Sequence, residues 1–207
     1  MRRSFKIIRA IRERLDLNRS LSLLGISEER LNSLLPPPPS DDSIETLIEL
    51  SDVVKWSCRL NSMPVNKTVT LDVDEDAGVI HKRLVGMKDS SEFDKLYAVL
   101  HPVILHLKDH FNRSRPYDLS RRVCHIPSET HIGLKSYPSG HTAYAALLEK
   151  FLSEKYPHLS ESLNKSTGEV GMTRILMGVH FKSDNDASIA LVDKLWPLMK
   201  GGKDESK

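Results

Sequence analysis

The clearest pattern in the chain is HTAYAALLEKFLSEKY, where Tyr144, Leu147, Leu148, Phe151 and Leu152 fall at i, i+3, i+4, i+7 and i+8. That is the spacing of one buried helix face. Upstream, SSEFDKLYAVLHPVILHLKDHFNR repeats the period with Phe93, Leu96, Tyr97, Leu100, Val103, Ile104, Leu107 and Phe111, predicting a core helix that kinks at Pro102. Downstream, Leu159, Leu163, Val170, Ile175, Leu176 and Val179 predict another helix, and Ile189, Leu191, Val192 and Leu195 a last one.

Toward the N-terminus, Phe5, Ile8, Ile11, Leu15, Leu21, Leu24, Ile26, Leu31 and Leu34 keep helical spacing until Pro36 to Pro39 remove four consecutive backbone donors. This predicts a helical arm closed by a rigid polyproline linker. Asp41 and Asp42 can cap the next helix, SIETLIELSDVVKWSCRL, with Ile44, Leu47, Ile48, Val53, Val54 and Leu60 on its apolar face.

Two segments lack the period. SMPVNKTVTLDVDED holds Pro64, several β-branched residues and an acidic run, and reads as an extended loop before a short helix from Ala77 to Met87. Asp72, Asp74 and Asp76 have the odd spacing that opens a calcium loop, but Ala77 stands in place of the turn glycine and Arg83 in place of the bidentate glutamate. The segment from Ser114 to Pro138, with Pro116, Pro127 and Gly133, reads as a long surface loop of the kind that shapes an active-site mouth. The expected organisation is an arm and linker over 1–40, a helical domain over 41–200 and a polar tail over 201–207, a mainly α helical bundle without internal repeats.

Length and charge narrow the function. A chain of 207 residues suits one domain with a sizeable core. Thirty Lys and Arg against 28 Asp and Glu leave a net charge of +2, so no global field advertises nucleic acid or an anionic membrane, and anion binding must be local. No eighteen-residue apolar run is present, so no transmembrane helix is expected. In MRRSFKIIRAIRERLDL, charge interrupts Phe5, Ile7, Ile8 and Ile11 before a secretory core can form, and a cytoplasmic protein is expected. The arm is a candidate surface for a homo-oligomer. Cys58 and Cys124 allow at most one disulfide, and two buried free thiols are the preferred reading.

Three clusters carry candidate chemistry. KDHFNRSRP runs a helix end into a proline-bounded turn, where Lys108 and Arg115 can present an ammonium and a guanidinium to one anion. SYPSGHT places Pro138 and Gly140 in a tight turn that opens a helix, aiming backbone N–H groups and the Ser139 hydroxyl at an anion, with His141 in the first turn. TRILMGVHFKSD supplies Arg174, His180 and, four residues after the histidine, Asp184, a base and the carboxylate that orients it. His106 and His110 are four apart but lack a third ligand at suggestive spacing, so no metal or other cofactor is expected. Arg113 and Tyr117, which flank the first cluster, read as ordinary solvated residues.

In order and spacing the three clusters resemble the type 2 phosphatidic acid phosphatase superfamily, which includes bacterial non-specific acid phosphatases and vanadium-dependent haloperoxidases. Lys108, six residues, then Arg115-Pro116 matches the first family motif, and Pro138-Ser139-Gly140-His141 the second. Arg174, five residues, His180, three residues and Asp184 match the third, with Thr173 in place of its serine. The resemblance spans about residues 90 to 190, leans toward the soluble acid phosphatase branch, and says nothing of the arm. It implies a helical bundle of the acid phosphatase and vanadium haloperoxidase type, and hydrolysis of a small soluble phosphate monoester such as a nucleotide or sugar phosphate. His180 would be the nucleophile that becomes phosphorylated, Asp184 its orienter and His141 the proton donor. Lys108, Arg115, Ser139, Gly140 and Arg174 would hold the phosphoryl oxygens, a set of fixed donors suited to charge spread over three equatorial oxygens. The rival readings are a vanadate-dependent haloperoxidase, a lipid phosphate phosphatase resting on a membrane through the basic arm, and a non-catalytic phosphate-binding module.

Overall fold

The computed structural model describes residues 2–60, 64–88, 90–128 and 133–202, and every regular element among them is helical. The central element is helix α8, Gly140–Lys155, whose predicted stripe Leu147, Leu148, Phe151 and Leu152 is buried. Ala143, Ala145 and Ala146 bury the rest of its circumference, because methyl-sized side chains let neighbours approach on several sides.

Those neighbours are α6, Ser91–Phe111, α9, Ser160–Leu176, and α10, Lys182–Met199. The Ser90 hydroxyl caps α6 by accepting from the Phe93 N–H, and the helix runs through Pro102 to a left-handed Asn112. Along it Phe93, Leu100, Val103, Ile104 and Leu107 join the core. Leucines buried this completely, such as Leu100, Leu107 and Leu163, each contribute about 2 kcal/mol. Close approach of α9 and α10 is set at Gly171, whose carbonyl accepts from Asn185 Nδ2 at 2.9 Å.

The N-terminal helices share this core. In α1, Arg2–Leu24, the side chains of Leu17, Leu21 and Leu24 are buried, and α2, Glu28–Ser33, with the residues after it adds Leu31, Leu34 and Leu35. The prolines that follow are tied down where Tyr137 Oη donates to the Pro36 carbonyl at 2.9 Å. Helix α3, Ile44–Arg59, packs on α9, and its cap is Ser43 rather than Asp41 or Asp42. The side chains of Phe5, Ile7, Ile8 and Ile11 and the tail from 203 lie outside the described residues.

Two expectations are overturned. The segment expected to be extended forms helix α4, Pro64–Glu75, ahead of α5, Val79–Val85. Proline is favoured in a first helical turn, and Val69 and Val73, four apart, seat against Ala145 and Val170, so tertiary burial overrides β-branched propensity. The cysteines are not free thiols. Cys58, at the end of α3, is bonded to Cys124, with Cα atoms 4.9 Å apart across a sequence separation of 66. No spacing rule encodes that meeting, which depends on where the stretch after α7, Pro116–Leu119, is led back against α3. Within the expected long loop, α7 and the backbone bond from Ile126 N–H to Met177 O thus impose fixed structure.

Candidate active site

Three cations are brought to one place by helix ends. Lys108 lies in the last turn of α6, and its Nζ donates to the carbonyls of Lys135 at 2.7 Å and Ser136 at 3.1 Å. Arg115 is the N-cap of α7, its Nε donating to Leu134 O and its Nη1 to Val179 O, each at 2.8 Å. These backbone bonds fix the planar guanidinium before any ligand arrives. Arg174, near the end of α9, is 1% exposed; its Nη2 donates to Asp74 Oδ1 at 2.7 Å, while Nε and Nη1 have no partner among the described residues. Buried N–H donors left unpaired on a cation are costly unless an anion completes them. Burial lowers the pKa of Lys108 well below its usual value, with Arg115 adding to the effect and Asp184 opposing it.

Beside the cations lies a histidine with an ordered environment. His180 Nδ1 is 3.1 Å from Asp184 Oδ2, four residues on, and His180 Nε2 is 3.3 Å from Arg115 Nη1. Carboxylate at Nδ1 and a permanent donor near Nε2 select the neutral tautomer with the proton on Nδ1, leaving the Nε2 lone pair for chemistry. Burial, then the charges of Arg115, Lys108 and Arg174, push the His180 pKa well below normal and keep it neutral. Asp184 is itself held from all sides. Oδ2 accepts from the Phe181 N–H at 2.9 Å and from the Ser136 hydroxyl, and Oδ1 accepts from Arg113 Nη1 at 2.7 Å. The backbone turn before His180 needs Gly178, at φ 72°, where a Cβ would lie 2.6 Å from Val123 Cγ1.

His141 sits in the first turn of α8, across the cavity. Its Nε2 is 3.2 Å from the Asp74 carbonyl, an acceptor only, so Nε2 carries a proton and Nδ1 is the atom that gains or loses one. Burial pushes the His141 pKa down to about 3, Arg174 adds to the fall, and Asp74 opposes it. The Asp74 carboxyl stays below its usual value: burial raises it, but the Ser128 hydrogen bond and the charges of Arg174 and His141 prevail.

Lys108, Arg115, Gly140, His141, Arg174 and His180 thus line one cavity of about 360 Å³. Asp184 stands behind His180. Ser139 is fully buried as the cap of α8, its hydroxyl accepting from the Thr142 N–H at 3.4 Å and lying 3.0 Å from Thr142 Oγ1, and it does not line the cavity. Sequence reasoning missed three residues. Arg113, expected to be solvated, is buried on Asp184, Ser183 and Glu49 and lies over the Phe181 ring at 4.2 Å. Ser136 carried no recognisable signal and Asp74 only that of a rejected calcium loop, since their partners are separated from them by 48 and 100 residues. Among the described residues no cluster of three or more His, Cys, Asp or Glu side chains could hold a metal ion, and His106 is bonded to Asn32 Oδ1 at 2.8 Å.

The surroundings of these residues agree with likeness to known proteins. Residues 96–191 match the PAP2 superfamily. The non-specific acid phosphatases of Salmonella typhimurium and Salmonella typhi are each 30% identical to this chain over 176 residues, covering 77% of it and 70% of their own length. That of Providencia stuartii is 28% identical over 170 residues, covering 75% of this chain and 68% of itself. With three helix-borne motifs converging on one cavity in a wholly helical core, this chain belongs to the PAP2 superfamily.

Proposed function

We propose that this protein is a phosphatase that hydrolyses soluble phosphate monoesters through a phosphohistidine on His180, with no metal taking part. Family membership and the likeness to non-specific acid phosphatases support the phosphoric monoester hydrolase class. The single observation that carries the mechanism is the pairing of a neutral, Asp184-oriented His180 with the unpartnered Nε and Nη1 donors of buried Arg174 in the same cavity.

The steps balance as follows. The Nε2 lone pair of His180 forms a bond to phosphorus while the ester P–O bond breaks, and the leaving oxygen takes the Nδ1 proton of His141. The equatorial oxygens, whose charge is spread in the transition state, are met by Lys108, Arg115, Arg174 and the Gly140 backbone. Asp184 balances the positive charge on the His180 ring. Water then attacks phosphorus, His141 recovers a proton from it, and the P–N bond breaks to restore His180 and release phosphate. Burial is the largest cause of the depressed His141 pKa, and Arg174 and Lys108 add to it; a phosphoryl dianion lying among these cations offsets their part and brings its own negative charge, so binding favours the protonated donor.

Rapid quench with labelled p-nitrophenyl phosphate tests this reading. Wild type is expected to trap label in a bond that survives alkali and is lost in acid, as a phosphoramidate is. His141→Ala retains that label and His180→Ala has none. Label absent from wild type during steady turnover would sink the covalent step and favour direct attack by water. Activity is further expected to survive EDTA and to be lost with orthovanadate, which takes the same trigonal-bipyramidal geometry. The Cys58–Cys124 disulfide supports work in an oxidising compartment rather than the cytoplasm suggested by the N-terminal pattern.

A further inference from the structure

The charge that Asp184 lends to the His180 ring is already shared. Oδ2 faces His180 Nδ1 at 3.1 Å, but Oδ1 accepts from Arg113 Nη1 at 2.7 Å. The Arg113 side chain is 1% exposed and that of Asp184 is wholly buried, so water screens neither. A carboxylate matched to a guanidinium carries no net charge, and such a pair offers little to a cationic ring. A second carboxylate changes the count. Glu49 Oε2 accepts from Arg113 Nη2 at 3.1 Å, so Asp184, Arg113 and Glu49 together keep one net negative charge behind His180.

Glu49 is brought there from α3 and is itself held on two sides. Its Oε1 accepts from the Ser183 N–H and its Oε2 from the Ser183 hydroxyl, each at 2.6 Å, in the first turn of α10 that also carries Asp184. Arg113 Nη1 reaches the same Ser183 Oγ at 2.7 Å. The bland reading is that Glu49 merely caps α10, since an acceptor at a helix N-terminus satisfies a free N–H. A glutamine would serve that purpose, because its amide oxygen can accept from Ser183. A cap does not require the charge, whereas balancing a cation does.

We propose that Glu49 is a positioning residue for phosphoryl transfer, its carboxylate acting through Arg113 and Asp184 to stabilise the positive ring formed on His180. The proposal rests on the phosphohistidine reading and adds to it a group on α3 that does not line the cavity. Forming the P–N bond turns the neutral ring, protonated on Nδ1, into a cation, and breaking that bond returns it to neutral. The charge of Glu49 therefore favours the first step and opposes the second. Three hydrogen bonds separate Glu49 from the ring. A unit charge about 10 Å away, at an effective dielectric near ~20, changes a rate on the order of tenfold.

The test is single-turnover quench with labelled p-nitrophenyl phosphate, which follows formation and breakdown of the phosphoenzyme separately. Glu49→Gln should slow formation about tenfold and leave breakdown as fast as in wild type or faster, with KM changed little. Glu49→Asp keeps the charge but draws it back from Arg113, and should fall between wild type and Glu49→Gln. In an Asp184→Asn background, Glu49→Gln should slow formation by no more than about twofold further, because the group through which it acts is gone. Formation at the wild-type rate in Glu49→Gln, equal slowing of both steps, or a full tenfold further loss in the Asp184→Asn background would overturn the role. Should Glu49→Gln fail to fold by circular dichroism, Glu49→Asp carries the test: formation slowed alone supports the proposal, and both steps slowed equally overturn it. Label absent from wild type during turnover overturns the covalent reading and this role with it, whereas label present with both steps equally slowed overturns this role alone.

Discussion

Asp74 Oδ1 lies 2.7 Å from Arg174 Nη2, joining the end of α4 to the end of α9 across 100 residues of sequence, while the Asp74 carbonyl accepts from His141. One residue thereby holds both a proposed phosphate-binding cation and the proposed proton donor.

Replacing that carboxylate should separate binding from turnover. Asp74→Asn keeps an oxygen for Arg174 but removes the charge that raises the His141 pKa, so the donor loses its proton at lower pH. The basic limb of the kcat profile, which reports the donor in the substrate complex, should move to lower pH, by up to about one unit, and turnover near neutrality should fall up to about tenfold. Inorganic phosphate should inhibit more strongly, because Arg174 has lost a competing anion. An unmoved basic limb would show that Asp74 does not act on the donor.

Asp184→Asn should fold and yet lose most activity. Three donors converge on Asp184 Oδ2, namely His180 Nδ1, the Phe181 N–H and the Ser136 hydroxyl, so an amide nitrogen placed there faces donors and favours the wrong imidazole tautomer. A kcat loss on the order of 10³ to 10⁴ is expected, with KM changed little. Circular dichroism and single-turnover kinetics check the two halves of this statement.

Arg113→Ala should cost both stability and turnover, although Arg113 does not line the cavity. It removes the buried guanidinium that pairs with Asp184 and Glu49 and leaves those carboxylates unbalanced. A loss of roughly 3 kcal/mol in denaturant unfolding is expected, with kcat lowered and KM for p-nitrophenyl phosphate nearly unchanged. A large rise in KM with normal kcat would mean that Arg113 contacts substrate directly.

Acid should weaken the fold in a defined window. Burial lowers the pKa of His81 to about 4, and that of His141 and His180 is lowered as well, so the unfolded chain binds more protons than the folded one below the ordinary histidine value of 6.5. The stability they contribute is full above about pH 6.5 and is lost as pH falls toward 4, with His81 alone accounting for up to about 3 kcal/mol. Urea midpoints at pH 7, 5.5 and 4 read this directly. His81→Gln should flatten the dependence, and added phosphate, on the proposed binding to the folded state alone, should raise every midpoint.

Reduction should lower stability through the unfolded state. The disulfide closes a segment of 66 residues, for which loop-closure entropy gives on the order of 4 kcal/mol. The Cys58→Ser/Cys124→Ser double variant should show that loss in denaturant unfolding, and dithiothreitol should reproduce it in wild type while leaving the double variant unaffected.

The sequence by itself determined the elements that bury a continuous face and the residues that carry recognisable motifs. Helices α6, α8, α9 and α10 were legible because burial on one side of a helix forces a 3.6-residue period, and Lys108, Arg115, Gly140, His141, Arg174 and His180 because their spacing matches a known order. Tertiary structure decided what periodicity cannot carry. Pro64–Glu75 is a helix because Val69 and Val73 find apolar partners on α8 and α9, and Cys58 meets Cys124 because the chain after α7 returns to α3. Arg113 turns from a solvated cation into the anchor of Asp184, Asp74 becomes the brace of Arg174 and His141, and the Ser139 hydroxyl is taken up by its own helix cap. Each of these outcomes depends on which distant group the packed helices bring within about 3 Å, and a hydrogen bond or ion pair is set by that distance rather than by separation along the chain.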